Sequence, residues 1–184
     1  MRIYEQQKRA ETVAATRERI VKATVALHEE AGPARTTVAA IAARAGVSRP
    51  TVYNQFPDDG SLFNACSAHF RERHPAPELL GLELEEALLA QYRFYTANER
   101  MLTHVWRDAE ILPSLAAVLE PVGRQIRLVA AELVRPLGRR GARSKRAAAF
   151  AALALELPAW RSLTRSGLDD AEAAALMASL VRAA

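Results

Sequence analysis

The sequence predicts an all-α protein, and three features carry that expectation. Apolar residues recur three and four positions apart through most of the 184 residues, the spacing that gathers side chains on one helical face. No run alternates valine, isoleucine or aromatic residues with polar ones, and the Asp59-Gly60 pair has no such run on either side. Alanine, the strongest helix former, is abundant. With 50% hydrophobic and 6% aromatic content, the chain can bury a sizeable core as one or two domains.

Taken in order, Met1 to Ala15 is polar and mixed in charge, which leaves open a loose arm or an extension of the first helix. From Thr16 the helix is clear, with Ile20, Ala23, Leu27 and Ala31 on one face and Gly32-Pro33 as its stop. Thr36 or Thr37 can cap a second helix whose apolar face is Val38, Ile41, Ala42 and Ala45. Gly46 can end it in the left-handed conformation, Val47 can fill the corner and Ser48 can cap a third helix. Asp58 or Asp59 can cap a fourth carrying Leu62, Phe63, Cys66 and Phe70, which His74, Pro75 and Pro77 interrupt. Beyond lie expected helices at 78–98, 99–112 and 113–134, a basic glycine-containing linker at 136–141, and a pair at 144–166 and 169–184. Asp169 and Glu172 form a capping box at the start of the last, bringing the total to about nine helices.

Residues 37–56 thus read as two short helices joined by a tight turn, the layout of a helix-turn-helix reader of DNA. Val52 and Phe56 lie four residues apart and face inward, which turns Arg49, Thr51, Asn54 and Gln55 outward. The formal net charge is +4 and the isoelectric point near 9.6, a mild excess that decides little. Its distribution says more, because Arg35 to Gln55 holds three arginines and no acid. The single cysteine, Cys66, excludes an intrachain disulfide framework. The polar start with Glu5 and Glu11 lacks the apolar block of a signal peptide, and Glu156 and Pro158 interrupt the longest alanine-rich run, so a cytoplasmic protein with no membrane span is expected.

The segment from Thr16 to Phe70, with TTVAAIAARAGVSRPTVYNQF at its centre, closely resembles the TetR family of transcriptional regulators. The paired threonines, the Ile-Ala step, Ala-Gly-Val-Ser at the turn, and Thr-x-Tyr-x-x-Phe followed by proline carry the likeness, over about a third of the chain. The resemblance implies a three-helix DNA-binding domain at 14–74 and a larger helical effector-binding and dimerisation domain at 75–184. It further implies a homodimer, most simply a repressor, on a near-palindromic operator and released by a small molecule. By matching position, Ser48, Arg49, Pro50 and Thr51 would lie at the groove end of the recognition helix. Thr37, Tyr53 and Gln55 would face phosphates, Asn54 lies near both, and Arg44 joins them as a candidate. Three residues depart from the family pattern: Gln55 replaces histidine or tyrosine, Pro50 replaces a small or basic residue, and Asp59 replaces a lysine, removing a phosphate contact. Lys8 and Arg9 could reach a minor groove from the N-terminal arm.

In the rest of the chain Tyr92, Tyr95, Met101, His104, Trp106, Arg107 and Trp160 are candidate walls of an effector pocket, although aromatic residues at helical spacing equally suit a core. Phe150, Leu153, Leu157, Leu176 and Leu180 give the last two helices apolar faces suited to a symmetric four-helix interface. No cofactor is expected besides a small-molecule effector of unidentified chemistry. Cys66, His69 and His74 lack a fourth ligand, and Cys66 belongs to an apolar face, so no metal site is expected. No nucleophile-base pair, metal triad or phosphate loop marks an enzyme.

Overall fold

The computed structural model describes residues 2–184, with side chains from Glu5 onward, and Met1 of the N-terminal arm lies outside the described residues. Nine α-helices follow one another among these residues: α1 (Arg2–Ala31), α2 (Val38–Ala45), α3 (Arg49–Gln55), α4 (Asp59–Arg73), α5 (Leu84–Ala109), α6 (Pro113–Val134), α7 (Gly141–Ala154), α8 (Leu157–Arg165) and α9 (Asp170–Ala183). Short 3-10 turns occupy Pro33–Arg35 and Arg135–Leu137, and no strand occurs among the described residues. No helix among them is long and apolar enough to cross a membrane.

The N-terminal arm, left open between a loose arm and an extension of the first helix, continues α1 as helix, since nothing from Arg2 to Thr16 breaks the ladder. Three other boundaries differ from the sequence expectation. The helix expected from Glu78 starts at Leu84, because Gly81 turns the chain at φ 88° just before it. The helices expected at 78–98 and 99–112 merge into α5, where only Asn98 leaves helical geometry, at φ −125° and ψ 16°. The helix expected at 144–166 divides into α7 and α8 between Ala154 and Leu157. Pro158 accounts for the division: without an N–H it cannot bond the carbonyl of Ala154 four residues back. The backbone oxygens left over at that break accept tyrosine hydroxyls, Ala154 from Tyr92 at 2.8 Å and Leu155 from Tyr95 at 2.6 Å.

The chain forms two compact units. The first comprises the residues up to Pro75 together with Thr103–Val118, so the end of α5 and the start of α6 lie outside the expected 14–74 segment yet pack within it. Its core gathers Ile20, Val21 and Ala23 from α1, Ile41, Ala42 and Ala45 from α2, Val52 and Phe56 around α3, and Leu62 and Cys66 from α4. A polar junction closes it. Gly32 ends α1 at φ 94°, Ala34 N–H donates to Asp108 Oδ2 at 2.8 Å, and Arg107 Nε meets Asp108 Oδ1 at 2.7 Å. The Asp108 side chain is only 2% exposed; burial opposes its charge, but the Arg107 guanidinium and the Ala34 N–H win and hold its carboxyl below the usual carboxylate range. His28, buried beside Phe63 with ring centroids 5.7 Å apart, is pushed down to about 4 because burial outweighs the nearby Asp108 charge.

The second unit comprises Ala76–Leu102 and Leu119–Ala184. Within it α7 and α8 pack against α9. Fully buried alanines, Ala147, Ala151 and Ala154 on α7 and Ala173, Ala174 and Ala178 on α9, let those two backbones approach closely. The Asp169 capping box with Glu172 starts α9 as expected.

Two outcomes follow from the polar junction. A Cβ on Gly32 would lie 2.5 Å from both Arg107 Nη2 and Asp108 Oδ2, at a backbone angle that L residues avoid. Gly32→Ala should therefore lower the stability measured by urea denaturation by about 2 kcal/mol or more. His28 and Asp108 both have folded pKa values below their unfolded ones, so each contributes stability at neutral pH that acid removes. The His28 contribution, about 3 kcal/mol at most, is complete above pH 6.5 and declines as the pH falls towards 4. Urea titrations across that window should show the decline in the native chain and its loss in His28→Gln.

Candidate nucleic-acid interface

Local capping chemistry sets the α2–turn–α3 geometry. Thr37 begins α2 by accepting Ala40 N–H through its hydroxyl at 3.2 Å. Gly46 ends it at φ 64° and ψ 43°, and Val47 N–H returns to the Ala42 carbonyl at 3.0 Å. Ser48 then caps α3, its Oγ accepting from Thr51 N–H and sharing a 2.8 Å hydrogen bond with the Thr51 hydroxyl. Pro50, in the first turn, costs α3 no hydrogen bond because that turn has no intrahelical acceptor to offer. Val52 and Phe56 are buried, which fixes the opposite face of α3 outward.

That outward face carries Arg49, Pro50, Tyr53 and Asn54 in the open, with Thr51 and Gln55 half-exposed. Tyr53 is 57% exposed, an unusual placement for so large a ring unless something covers it. Arg49, Tyr53 and Asn54 make no side-chain hydrogen bond or ion pair with the described residues, so a guanidinium, a phenol and an amide stand ready for an external partner. A guanidinium matches the acceptor edge of guanine and an amide that of adenine, while hydroxyls serve phosphate oxygens. Four of the expected residues are already engaged, Ser48 and Thr51 with one another. Thr37 serves as the α2 cap, and Arg44 lies 2.5 Å from Glu30 of α1. Asp58 caps α4 through Ser61 N–H, leaving Asp59 exposed in its first turn with no basic residue there.

Sequence reading missed the residue that braces this face from behind. Arg17 of α1 donates to the Gln55 carbonyl at 2.6 Å and lays its guanidinium 4.0 Å from the centre of the Phe56 ring. One side chain thereby satisfies a carbonyl at the end of α3 and packs on the ring that anchors it. The only sequence signal is an arginine one turn before Ile20, which looks like any solvated helix charge. Lys8 and Arg9 are exposed on helical α1.

The candidate pocket residues fall into both units. In the first, His104 Nδ1 lies 3.1 Å from the His28 carbonyl, Arg107 holds Asp108, and Trp106 is half-buried. In the second, Tyr92, Tyr95, Met101 and Trp160 are buried. The two phenols are committed to the Ala154 and Leu155 carbonyls, and Trp160 donates its indole N–H to Asp170 at 2.9 Å with its ring 5.6 Å from Tyr95. Of the candidate interface residues, Phe150, Leu153, Leu176 and Leu180 on the mutually packed α7 and α9 are 42–49% exposed, whereas Leu157 is buried in the core. Cys66 is buried, its thiol pushed up to about 12 by desolvation, and His74 stacks on Phe70 at 4.7 Å. No group of three metal-ligating side chains forms among the described residues.

Residues 20–66 match the family model of bacterial regulatory proteins, tetR family. Solved structures share the fold of nearly the whole chain. A transcriptional regulator from Rhodococcus sp. RHA1 is 22% identical, with 90% of this chain and 95% of that one aligned at a TM-score of 0.65. A candidate TetR-family transcriptional regulator from Mesorhizobium loti is 21% identical over 93% and 95%, at 0.60. A candidate fatty acid metabolism regulator from Clostridium perfringens is 16% identical over 90% and 97%, at 0.61. No curated protein matches the chain by sequence.

Replacing Arg17 tests the brace. Arg17→Ala should lower stability by about 1 kcal/mol in urea denaturation. Arg17→Lys should recover little of it, because an ammonium lacks the planar group that lies on Phe56.

Proposed function

We propose that the chain, whose residues 20–66 match the tetR-family model, is a transcriptional regulator that binds a palindromic operator as a homodimer and represses until a small molecule releases it. The observation that carries this reading is the outward face of α3, where Arg49, Tyr53 and Asn54 are exposed and uncommitted while Val52 and Phe56 hold the helix to its support. In this reading Arg49 and Asn54 contact base edges, and Tyr53, Thr37 and Gln55 contact phosphates. Ser48, Pro50 and Thr51 set the groove end of the helix, and Arg44 reaches the backbone only by leaving Glu30. The domain boundaries at 14–74 and 75–184 belong to the same proposal, with residues 103–118 contributed back to the DNA-binding unit.

The exposed apolar stripe of Phe150, Leu153, Leu176 and Leu180 supports self-association, since four large apolar side chains on adjacent helices favour burial by an equivalent face. Two copies related by a two-fold axis would place their recognition helices about 34–36 Å apart, in successive major grooves. The effector enters the second unit in this reading, and its occupancy alters the separation of the two reading heads.

Selection of binders from random duplex DNA at near-physiological salt tests the proposal. An inverted repeat should emerge, and Arg49→Ala should weaken binding to it by about 1–3 kcal/mol with relaxed preference at one position of each half-site. Tyr53→Ala should weaken binding without changing base preference. Survivors without a common site, or a repeat indifferent to Arg49→Ala, would overturn it.

A further inference from the structure

The apolar stripe of Phe150, Leu153, Leu176 and Leu180 ends in opposite charges, and we infer that these charges orient the second copy: it docks with its helices antiparallel, so that Arg143 and Arg146 of each chain meet the partner's Asp169 and Glu172. The inference rests on the proposed homodimer and deepens it. On α7, Arg143 and Arg146 precede Phe150 and Leu153 at steps of three and four residues, and on α9, Asp169 and Glu172 precede Leu176 and Leu180 in the same rhythm. Each charged pair therefore shares a side of its helix with the exposed apolar residues, and all four charged residues are themselves exposed. The two packed helices run in opposite directions, because Arg139, just before α7, donates to the carbonyls of Val181, at 3.4 Å, and Arg182 at the end of α9. The arginines consequently lie at the Leu180 end of the stripe and the acids at its Leu153 end.

Such a face does not match its own copy equally in both orientations. A two-fold axis in the interface repeats every contact. Lying along the helices, the axis would set each basic end on the partner's basic end, although residues 133–155 and 173–184 hold no acid to separate them. Lying across the helices, it sets each basic end on the partner's acidic end and leaves the apolar residues between. All four charges are free to act in this way. Arg143, Arg146, Asp169 and Glu172 make no ion pair among the described residues, and the two acids accept only backbone N–H groups within the α9 cap. Arg182, at the basic end, already pairs with Glu85 at 3.5 Å. Helix α7 itself gains nothing from its arginines: its start has neither an acid in the first turn nor a capping side chain, and cations oppose the positive end of the helix dipole. Like charges facing one another across an interface cost more than exposed pairs gain, so these residues act chiefly by excluding the parallel arrangement.

Sedimentation equilibrium of the full chain at near-physiological salt tests the orientation. Arg143→Glu together with Arg146→Glu should loosen the dimer about tenfold or more, and adding Glu172→Lys, with Asp169 still capping α9, should tighten it again about threefold or more. Unfolding does not mimic the first result, because glutamate in the first two turns favours α7, and circular dichroism checks each variant. A tighter dimer after the double reversal would mean that the basic ends meet each other, and an unchanged one that the charges take no part. Either outcome overturns the inference, as does a loosened dimer that Glu172→Lys fails to tighten. Leu176→Arg separates this inference from the reading beneath it. A monomeric native chain, or a dimer indifferent to Leu176→Arg, defeats the homodimer through this face and the inference with it. A dimer that Leu176→Arg dissociates but the double reversal leaves unchanged defeats the inference alone.

Discussion

A buried carboxylate that reaches across 74 residues of chain closes the first unit. Asp108 receives the Ala34 N–H and the Arg107 guanidinium directly over Gly32, where α1 turns towards α2. Its neighbour His104 faces the His28 carbonyl at the same turn. The start of α2, and with it the angle at which α3 is presented, is thus referenced to the end of α5 as well as to α1. A charge this deeply buried is tolerable only with its partners in place, so the junction is stable as a set and vulnerable member by member. The helix-turn-helix segment is a local motif by sequence, yet the compact unit that holds it is assembled from two separated stretches of chain.

What could be read in the sequence was local, and its success follows from the physics of helix ends. Gly46, Ser48, Asp58 and Asp169 act within a few residues of their own position, and each caps or ends a helix as their chemistry requires. The inward pair Val52 and Phe56 was equally legible, because helical spacing alone puts them on one side. The contacts between distant residues were not. Nothing in the pattern around Arg17 pairs it with Gln55, and nothing near Asp108 pairs it with Ala34. Arg44 illustrates the same blindness in reverse, since its spacing marks it as outward but hides that Glu30 is already there.

The second unit shows how one proline reorganises aromatic residues far from it in sequence. Pro158 ends the α7 ladder, and the carbonyls thereby released are met by the Tyr92 and Tyr95 hydroxyls from α5. Burial pushes both phenols up, so they remain protonated donors through the physiological range. Residues that composition alone would place in a pocket wall therefore act as fasteners between α5 and the α7–α8 break. In the same unit four large apolar side chains on α7 and α9 remain uncovered, while small buried alanines hold those helices together. The division of labour is by size: alanine sets the spacing within the chain, and leucine and phenylalanine are left for the outside.

The ion pair between Arg44 and Glu30 alters what salt can reveal about this surface. An arginine free in solution gathers no compensating acid, and its transfer to a phosphate lets the nucleic acid shed condensed cations. Arg44 is already paired with the Glu30 carboxylate 2.5 Å away, so bringing it to a phosphate would first require separating that pair. Added electrolyte weakens both the internal pair and the external one. The two effects oppose each other, and the apparent number of ions released on association would fall below the number of arginines at the contact. In the proposed reading Glu30 is a built-in competitor for the phosphate, which would trim the indiscriminate part of the attraction and leave base discrimination to Arg49 and Asn54.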